Sequence, residues 1–218
     1  MRICCTSDLH GHLPEIPDCD LLLLGGDYPP MPQPREQYWW YRDQFAPWLE
    51  SIHKRGTETV GVAGNWDSLF EKDYKRLPRM DWTYLQDSGV TRFGLQIFGL
   101  PWQLRYGDWA FNLDEDELEE RYSHIPKGTD IIISHGPPKG LGDKTIHRER
   151  CGSVSLKERI HQIVPRLVVC GHNHSGYGLH ASVFTNSCGV VERKIYVVNA
   201  SHVNEAREPA NPPIIVEL

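Results

Sequence analysis

No apolar run in the chain is longer than Leu21–Leu24, far short of the ~20 residues a membrane-spanning helix needs. The opening MRICCTSDLH reaches an aspartate after a few apolar residues, too soon for the core of a secretory signal. A cytoplasmic protein with no membrane partner is therefore expected. Positive charge is also in short supply: 23 Lys and Arg stand against 29 Asp and Glu, a net −6 with His neutral. That balance offers no basic face to a nucleic-acid backbone, so tight duplex binding is disfavoured.

The six cysteines, Cys4, Cys5, Cys19, Cys151, Cys170 and Cys188, never fall at CxxC spacing. In a reducing compartment this predicts free, mostly buried thiols. Repeats, low-complexity tracts and long linkers are missing as well, and 218 residues suit one domain spanning 1–218. Asp114, Asp116 and Glu117 lack the loop pattern and glycine of a calcium site. They instead predict a helix over NLDEDELEERY with an acidic first turn facing its dipole.

Short β-branched or leucine runs do occur, each ending in glycine, aspartate, asparagine or histidine: MRICCTSDLH, CDLLLLGGD, TETVGVAGN, GTDIIISHG and PRLVVCGHNH. Continuous apolar runs of this length read as strands buried on both faces. Their carboxyl ends are where an α/β sheet places its chemistry. Tyr38, Tyr41, Phe45, Trp48, Leu49 and Ile52, spaced at three and four residues, predict a helix laying an aromatic stripe on the sheet. Pro29, Pro30, Pro32 and Pro34 keep the preceding loop open. LQIFGLPW and the pair within SVFTNSCGVVERKIYVVNAS read as further strands, the pair as a hairpin. NPPIIVEL reads as an extended closing strand.

The strand ends carry Asp8 and His10 in SDLHGH, Asp27 in GGD, Asn65 in GNWD, His135 in SHGPP, and His172 and His174 in GHNH. Two carboxylates, four imidazoles and one amide form a mixed oxygen and nitrogen set suited to Mn²⁺, iron, Zn²⁺ or Co²⁺. Asp67 is expected to brace the turn after Asn65. Gly136, Pro137 and Pro138 should stiffen the loop after His135, and Cys170 should point into the core.

With those motifs in order over nearly the whole chain, the sequence resembles the calcineurin-like metallophosphoesterases. SHGPPKGLGD, GHNHSGYG, and NAS followed by NPPIIVEL place the resemblance nearest the cyclic-nucleotide phosphodiesterase-like, metallophosphoesterase-domain-containing branch. The resemblance implies an α/β fold, a four-layer αββα sandwich of two mixed sheets flanked by helices, with two divalent metal ions (Mn²⁺, Fe or Zn²⁺) at one edge. It puts Asp8, His10, Asp27 and His174 on the first ion and Asp27, Asn65, His135 and His172 on the second, bridged by Asp27. Asn65 also counts among the catalytic and substrate-contacting residues. The expected activity is hydrolysis of a small phosphoester or nucleotide, a diester sooner than a monoester, by a monomer or homodimer. A metal- and nucleotide-binding regulatory protein with little turnover is the alternative; a phosphoprotein phosphatase fits less well.

The resemblance also implies a histidine after Asn65, outside the metal shell, that helps bind phosphate and protonates the leaving oxygen. Here that residue is Trp66, whose indole donates one hydrogen bond and does not titrate near neutrality. Losing a general acid costs about 10²- to 10⁴-fold in rate, so a slow enzyme is expected. Three roles are open to Trp66: packing beside the site, stacking on a substrate base or aryl ester, or leaving proton transfer to another histidine, His12 being the candidate.

Overall fold

Apolar runs without alternation need cover on both faces, and the computed structural model, which describes residues 1–185 and 191–218, supplies it. The first sheet contains β1 (Arg2–Thr6), β2 (Leu21–Leu24), β3 (Glu58–Gly61) and β4 (Thr83–Tyr84), all parallel. The second contains β5 (Ser88–Arg92), β6 (Leu95–Leu100), β9 (Ile131–Ser134), β10 (Leu167–Cys170), β11 (Gly178–Thr185) and β12 (Val191–Asn199). Between β6 and β9 the chain makes a small ribbon of β7 (Gln103–Leu104) and β8 (Asn112–Leu113). It closes on β13 (Ile214–Glu217), antiparallel to β1 as the tail NPPIIVEL predicts. The sheet orders are β13-β1-β2-β3-β4 and β11-β12-β10-β9-β6-β5. Both are mixed, since β12, β10, β9 and β6 run parallel while β11 and β5 flank them antiparallel.

Successive strand residues point to opposite faces, and this divides the core into layers. Ile3, Cys5, Leu21, Leu23 and Val60 from the first sheet meet Ile97, Ile131, Ile133, Leu167 and Val169 from the second. On the outer face of the first sheet, Cys4, Leu22 and Leu24 pack under α1 (Pro34–Trp40), α2 (Ala46–His53) and α3 (Ser68–Lys72), through Trp40, Leu49 and Phe70. On the outer face of the second, Ile132, Val168 and Cys170 pack under α4 (Glu115–Ser123) and α5 (Val154–Ile163), through Leu118, Tyr122, Leu156 and Ile160. The result is the αββα sandwich, with Cys170 in the core as expected.

The aromatic stripe is not one regular helix. A π-helical turn, Tyr41–Phe45, separates α1 from α2. Pro47 explains it: in a regular helix its ring would press on the carbonyl of Asp43, and a turn carrying one extra residue relieves the clash. The stripe still buries Tyr41, Phe45, Leu49 and Ile52. The acidic helix forms as expected, its start held by the Asp114 N–H donating to the Glu117 carboxylate at 2.8 Å.

β11 and β12 pair antiparallel, and residues 186–190 between them, with Cys188, lie outside the described residues. The other five cysteines are free: Cys4, Cys5 and Cys170 buried, Cys19 half-buried and Cys151 exposed. Among the described residues, no helix is long and apolar enough to cross a membrane.

Candidate metal centre

Five parallel strands bring their carboxyl ends to one edge of the sandwich. β1 delivers Asp8 and His10, β2 delivers Asp27, β3 leads to Asn65, β9 to His135, and β10 to His172 and His174. The backbone is left-handed at four of these seven: φ is 51° at Asp8, 43° at His10, 58° at Asp27 and 66° at His172. Such conformations cost about 1–3 kcal/mol each for non-glycine residues and persist where the surroundings over-determine them. Here they aim short polar side chains off the strand tips into a common space.

Two glycines keep that space open. A Cβ at Gly171 would fall 2.0 Å from Asp8 Oδ2, and one at Gly64 would fall 2.3 Å from Asp27 Oδ1. Both glycines are therefore required by close approach of a candidate ligand.

Asp8, His10 and His174 bring one ligand atom each within 4.8 Å of one another, and so do Asp8, Asp27 and His135. The carboxylate common to these two triads is Asp8. Asp27 still reaches both halves, its Oδ2 lying 3.8 Å from His10 Nε2 and its Oδ1 3.5 Å from His135 Nε2. The Asn65 Oδ1 sits 2.9 Å from His135 Nε2 and 2.8 Å from His172 Nδ1, which closes the set. All seven predicted ligands are thus together, drawn from both sheets.

A second layer orients the first. His135 Nδ1 donates to the Gly25 carbonyl at 2.8 Å and His174 Nδ1 donates to the Asn204 carbonyl at 2.9 Å, so each ring turns its Nε2 inward. Asp8 accepts from the Ser201 hydroxyl at 2.8 Å and from the His172 N–H at 3.0 Å. Asp27 Oδ1 accepts from the Trp66 N–H at 2.7 Å. Asp67 braces the turn, as expected, and does more: it accepts from the backbone N–H groups of Asp27, Tyr28 and Gly64 and from the Tyr41 hydroxyl.

The electrostatics follow from burial. Desolvation lowers His10 to about 3, and desolvation with the neighbouring His135 lowers His172 to about 3. Burial also lowers His135. These three imidazoles are neutral at pH 7 and keep a lone pair. Burial opposes ionisation of Asp8, but the hydrogen bond and charge of His174 hold it below the usual carboxylate range. His174 gains in return: burial opposes its cationic form, yet Asp8 lifts it to about 9. Burial, then the charges of Asp67 and Asp8, push Asp27 well above its ordinary value.

This set fits divalent cations on its own evidence. Both ring nitrogens of His10 are buried and find no hydrogen-bond partner among the described residues. A buried imidazole normally satisfies at least one nitrogen, and an ion bound here would supply the partner that His10 lacks. The excess of buried carboxylate around Asp27 asks for the same thing, positive charge.

Trp66 lies at the rim and is only 5 % exposed. Its ring meets Trp109 at 4.7 Å between centroids and His10 edge-on at 5.3 Å, and the Arg207 guanidinium sits 4.1 Å from its centroid. Its carbonyl accepts from Gln37 Nε2 at 2.7 Å. The indole is thus packed rather than open for a base to cover. His12 Nε2 donates to the Arg207 carbonyl at 3.1 Å, which ties this half-buried histidine to the loop following β12. A cleft of 310 Å³ opens beside His174, lined by Ser175, Tyr177, Asn204, Glu205 and Asn211. A larger hollow of 440 Å³, among Phe70, Tyr74, Trp82 and Tyr84, holds none of the candidate ligands. Gln37, Ser201, Asn204 and Arg207 escaped the sequence reading, and Tyr41 figured in it only as part of the aromatic stripe; the NAS run holding Ser201 was the one visible trace.

A family model described as Calcineurin-like phosphoesterase matches residues 1–176. Metallophosphoesterase domain-containing protein 1 of Homo sapiens is 33% identical over 247 residues, covering 100% of this chain and 71% of the relative. Among solved structures, TT1561 of Thermus thermophilus superposes with a TM-score of 0.57 at 16% identity, covering 99% of this chain and 97% of its own. GAP50, the anchor in the inner membrane complex of Plasmodium, does so at 0.51 and 10% identity, covering 99% and 80%. At those identities the two structures attest the fold alone.

Proposed function

Because the chain belongs to the calcineurin-like phosphoesterase family and is a metal-dependent phosphoesterase, we propose more narrowly that it holds two divalent ions and hydrolyses phosphodiesters, small nucleotides or aryl esters among them, slowly. One observation carries this: Asp8, His10, Asp27, His135 and His174 form two overlapping ligand groups, Asn65 links His135 to His172 beside them, and the buried His10 has no partner on either nitrogen among the described residues. Asp8, His10 and His174 with Asp27 would hold one ion, and Asp27, Asn65, His135 and His172 the other. Bound there, divalent ions supply Lewis acidity to the phosphoryl group and to the attacking water.

The chain's own groups do the rest. The Gly25 carbonyl fixes the tautomer of His135, so that a lone pair faces the site, and the Asn204 carbonyl holds the His174 ring with Nε2 turned inward, where an ion would take the place of the proton that Asp8 favours. Gly64 and Gly171 leave room for the Asp27 and Asp8 carboxylates to stand where they do. Trp66 gives no proton to the leaving oxygen. Esters whose leaving group departs as an anion should therefore turn over, and alkyl esters should lag.

The test is Mn²⁺-dependent hydrolysis of bis(p-nitrophenyl) phosphate against p-nitrophenyl phosphate, with chelator and Asp27→Ala as controls. Diester cleavage that disappears in both controls supports the proposal. A monoester preference would overturn the diesterase assignment, and two bound metals without turnover would favour the regulatory alternative.

A further inference from the structure

Trp66 raises a question that packing alone does not answer: an indole at the rim of a metal centre has an arginine laid over it. We infer that Arg207 is the cation that grips the substrate phosphate, and that Trp66 is the platform seating it. The inference rests on the phosphoesterase reading of the site and deepens it.

Three observations point the same way. The guanidinium lies 4.1 Å from the Trp66 centroid, and that ring lies 5.3 Å from His10, so the charge stands one ring away from a candidate ligand. Its backbone is held where arginine rarely goes, φ 60°, by the His12 ring bonding its carbonyl and by its own N–H donating to the Asn204 carbonyl at 2.9 Å. A left-handed arginine on an exposed loop costs stability unless its surroundings fix it. Asn204 adds to that clamp by accepting from the N–H groups of Ala206 and Glu208.

The third observation is what the guanidinium does not touch. The two acids of its own loop are turned elsewhere: Glu205 accepts from the Ser175 N–H and hydroxyl at 3.0 and 2.8 Å, and Glu208 from the Asn204 amide at 3.4 Å. Among the described residues, no carboxylate pairs with Arg207. An arginine presented face-on to an indole keeps its planar fork of N–H donors free at the edge. That fork matches two phosphate oxygens, which a point charge such as lysine cannot do as well.

Arg207 and Trp66 together also explain the residue after Asn65. Where the family resemblance implies a histidine that binds phosphate and supplies a proton, this chain keeps the phosphate grip by proxy and gives up the proton. Arg207 would then be a substrate-binding residue and Trp66 a positioning residue acting through it.

The test uses the full chain loaded with Mn²⁺, with titration calorimetry of inorganic phosphate as the first readout and turnover of bis(p-nitrophenyl) phosphate as the second. Arg207→Ala should weaken phosphate binding by roughly 10- to 100-fold, the range for one charge-assisted hydrogen-bonded contact, while keeping the wild-type metal content. Arg207→Lys should recover only part of the loss. Trp66→Leu should weaken phosphate binding in the wild-type background and change nothing further in Arg207→Ala, because residues acting as a unit are not additive. Trp66→Phe serves the same cycle if Trp66→Leu does not fold.

Phosphate affinity unchanged in Arg207→Ala, or no phosphate binding to the wild-type protein, overturns the inference. Full additivity of the two substitutions overturns the platform role. Intact phosphate binding with no turnover of any ester would sink the hydrolase reading and leave Arg207 standing, so the two failures are separable.

Discussion

At the scale of single residues, the site depends on groups too small or too well placed to exchange. Gly171 is the sharpest case, because any Cβ there would overlap the Asp8 carboxylate. Gly171→Ala should push Asp8 off the Ser201 hydroxyl and cost at least one metal equivalent per chain, read by elemental analysis after Mn²⁺ loading and desalting. Two equivalents retained would show that Asp8 can yield. Trp66→His makes a different test, since it adds a titratable donor and removes the seat of Arg207 at once. Loss of the seat slows aryl and alkyl diesters alike. A new general acid helps the alkyl ester alone, by up to about 10²- to 10⁴-fold. The ratio of alkyl to aryl turnover should therefore rise in Trp66→His even if both rates fall, and a flat ratio measured in parallel assays would remove the missing-proton ground for the slow turnover proposed above.

At the scale of elements, the two outer helices of the second sheet are joined by one acid. Glu115, at the start of α4, accepts from the Ser155 N–H at 2.8 Å and hydroxyl at 2.6 Å, and from the Ser153 hydroxyl at 2.7 Å, all at the start of α5. Burial opposes its ionisation, but these hydrogen bonds outweigh burial and hold its carboxyl below the ordinary value. A group so lowered stabilises the fold fully above its unfolded pKa, about 4.3 for glutamate, and loses that contribution as pH falls through the folded value. Glu115→Gln should lower stability by about 1–2 kcal/mol at pH 7, in line with hydrogen bonds to a charged acceptor at a half-exposed site. It should lower stability less at pH 3, so that urea midpoints of the two proteins converge as acid is added; parallel midpoints from pH 7 to 3 would refute the assignment. This link was invisible in the sequence, where the acidic helix declares its charge and its cap but not which serines, 38 and 40 positions away, face it. The strand tips were legible for the opposite reason. Leu21–Leu24, Ile131–Ser134 and Leu167–Cys170 are apolar on both faces and stop at polar residues that can only serve a sheet end. The turn Tyr41–Phe45 was not legible, because three- and four-residue spacing persists through a π turn. Arg207 was not legible either, since neither period nor motif marks a loop residue whose meaning is the indole beneath it.

At the scale of the molecule, the centre lies on the seam between the two sheets. Asp8, His10, Asp27 and Asn65 come from the first and His135, His172 and His174 from the second, while Ile3, Leu21 and Leu23 share one core with Ile131, Ile133 and Val169. Layers that share a core cannot melt apart without exposing it, so one cooperative thermal transition is expected. Metal held across the seam binds the folded chain alone, and at 100-fold over its Kd each ion adds about 2.7 kcal/mol. For a chain of this size a kcal/mol moves Tm by about 2–4 °C, so each ion should raise it by roughly 5–11 °C. Chelator should reverse the shift. In Asp27→Ala, whose lost carboxylate faces both halves, most of the shift should be gone while the transition stays single. Scanning calorimetry of the loaded, chelated and substituted proteins decides it: two transitions with only one responding to Mn²⁺ would mean that the sheets fold separately and that the ligands of one sheet suffice, which contradicts a centre built on their seam.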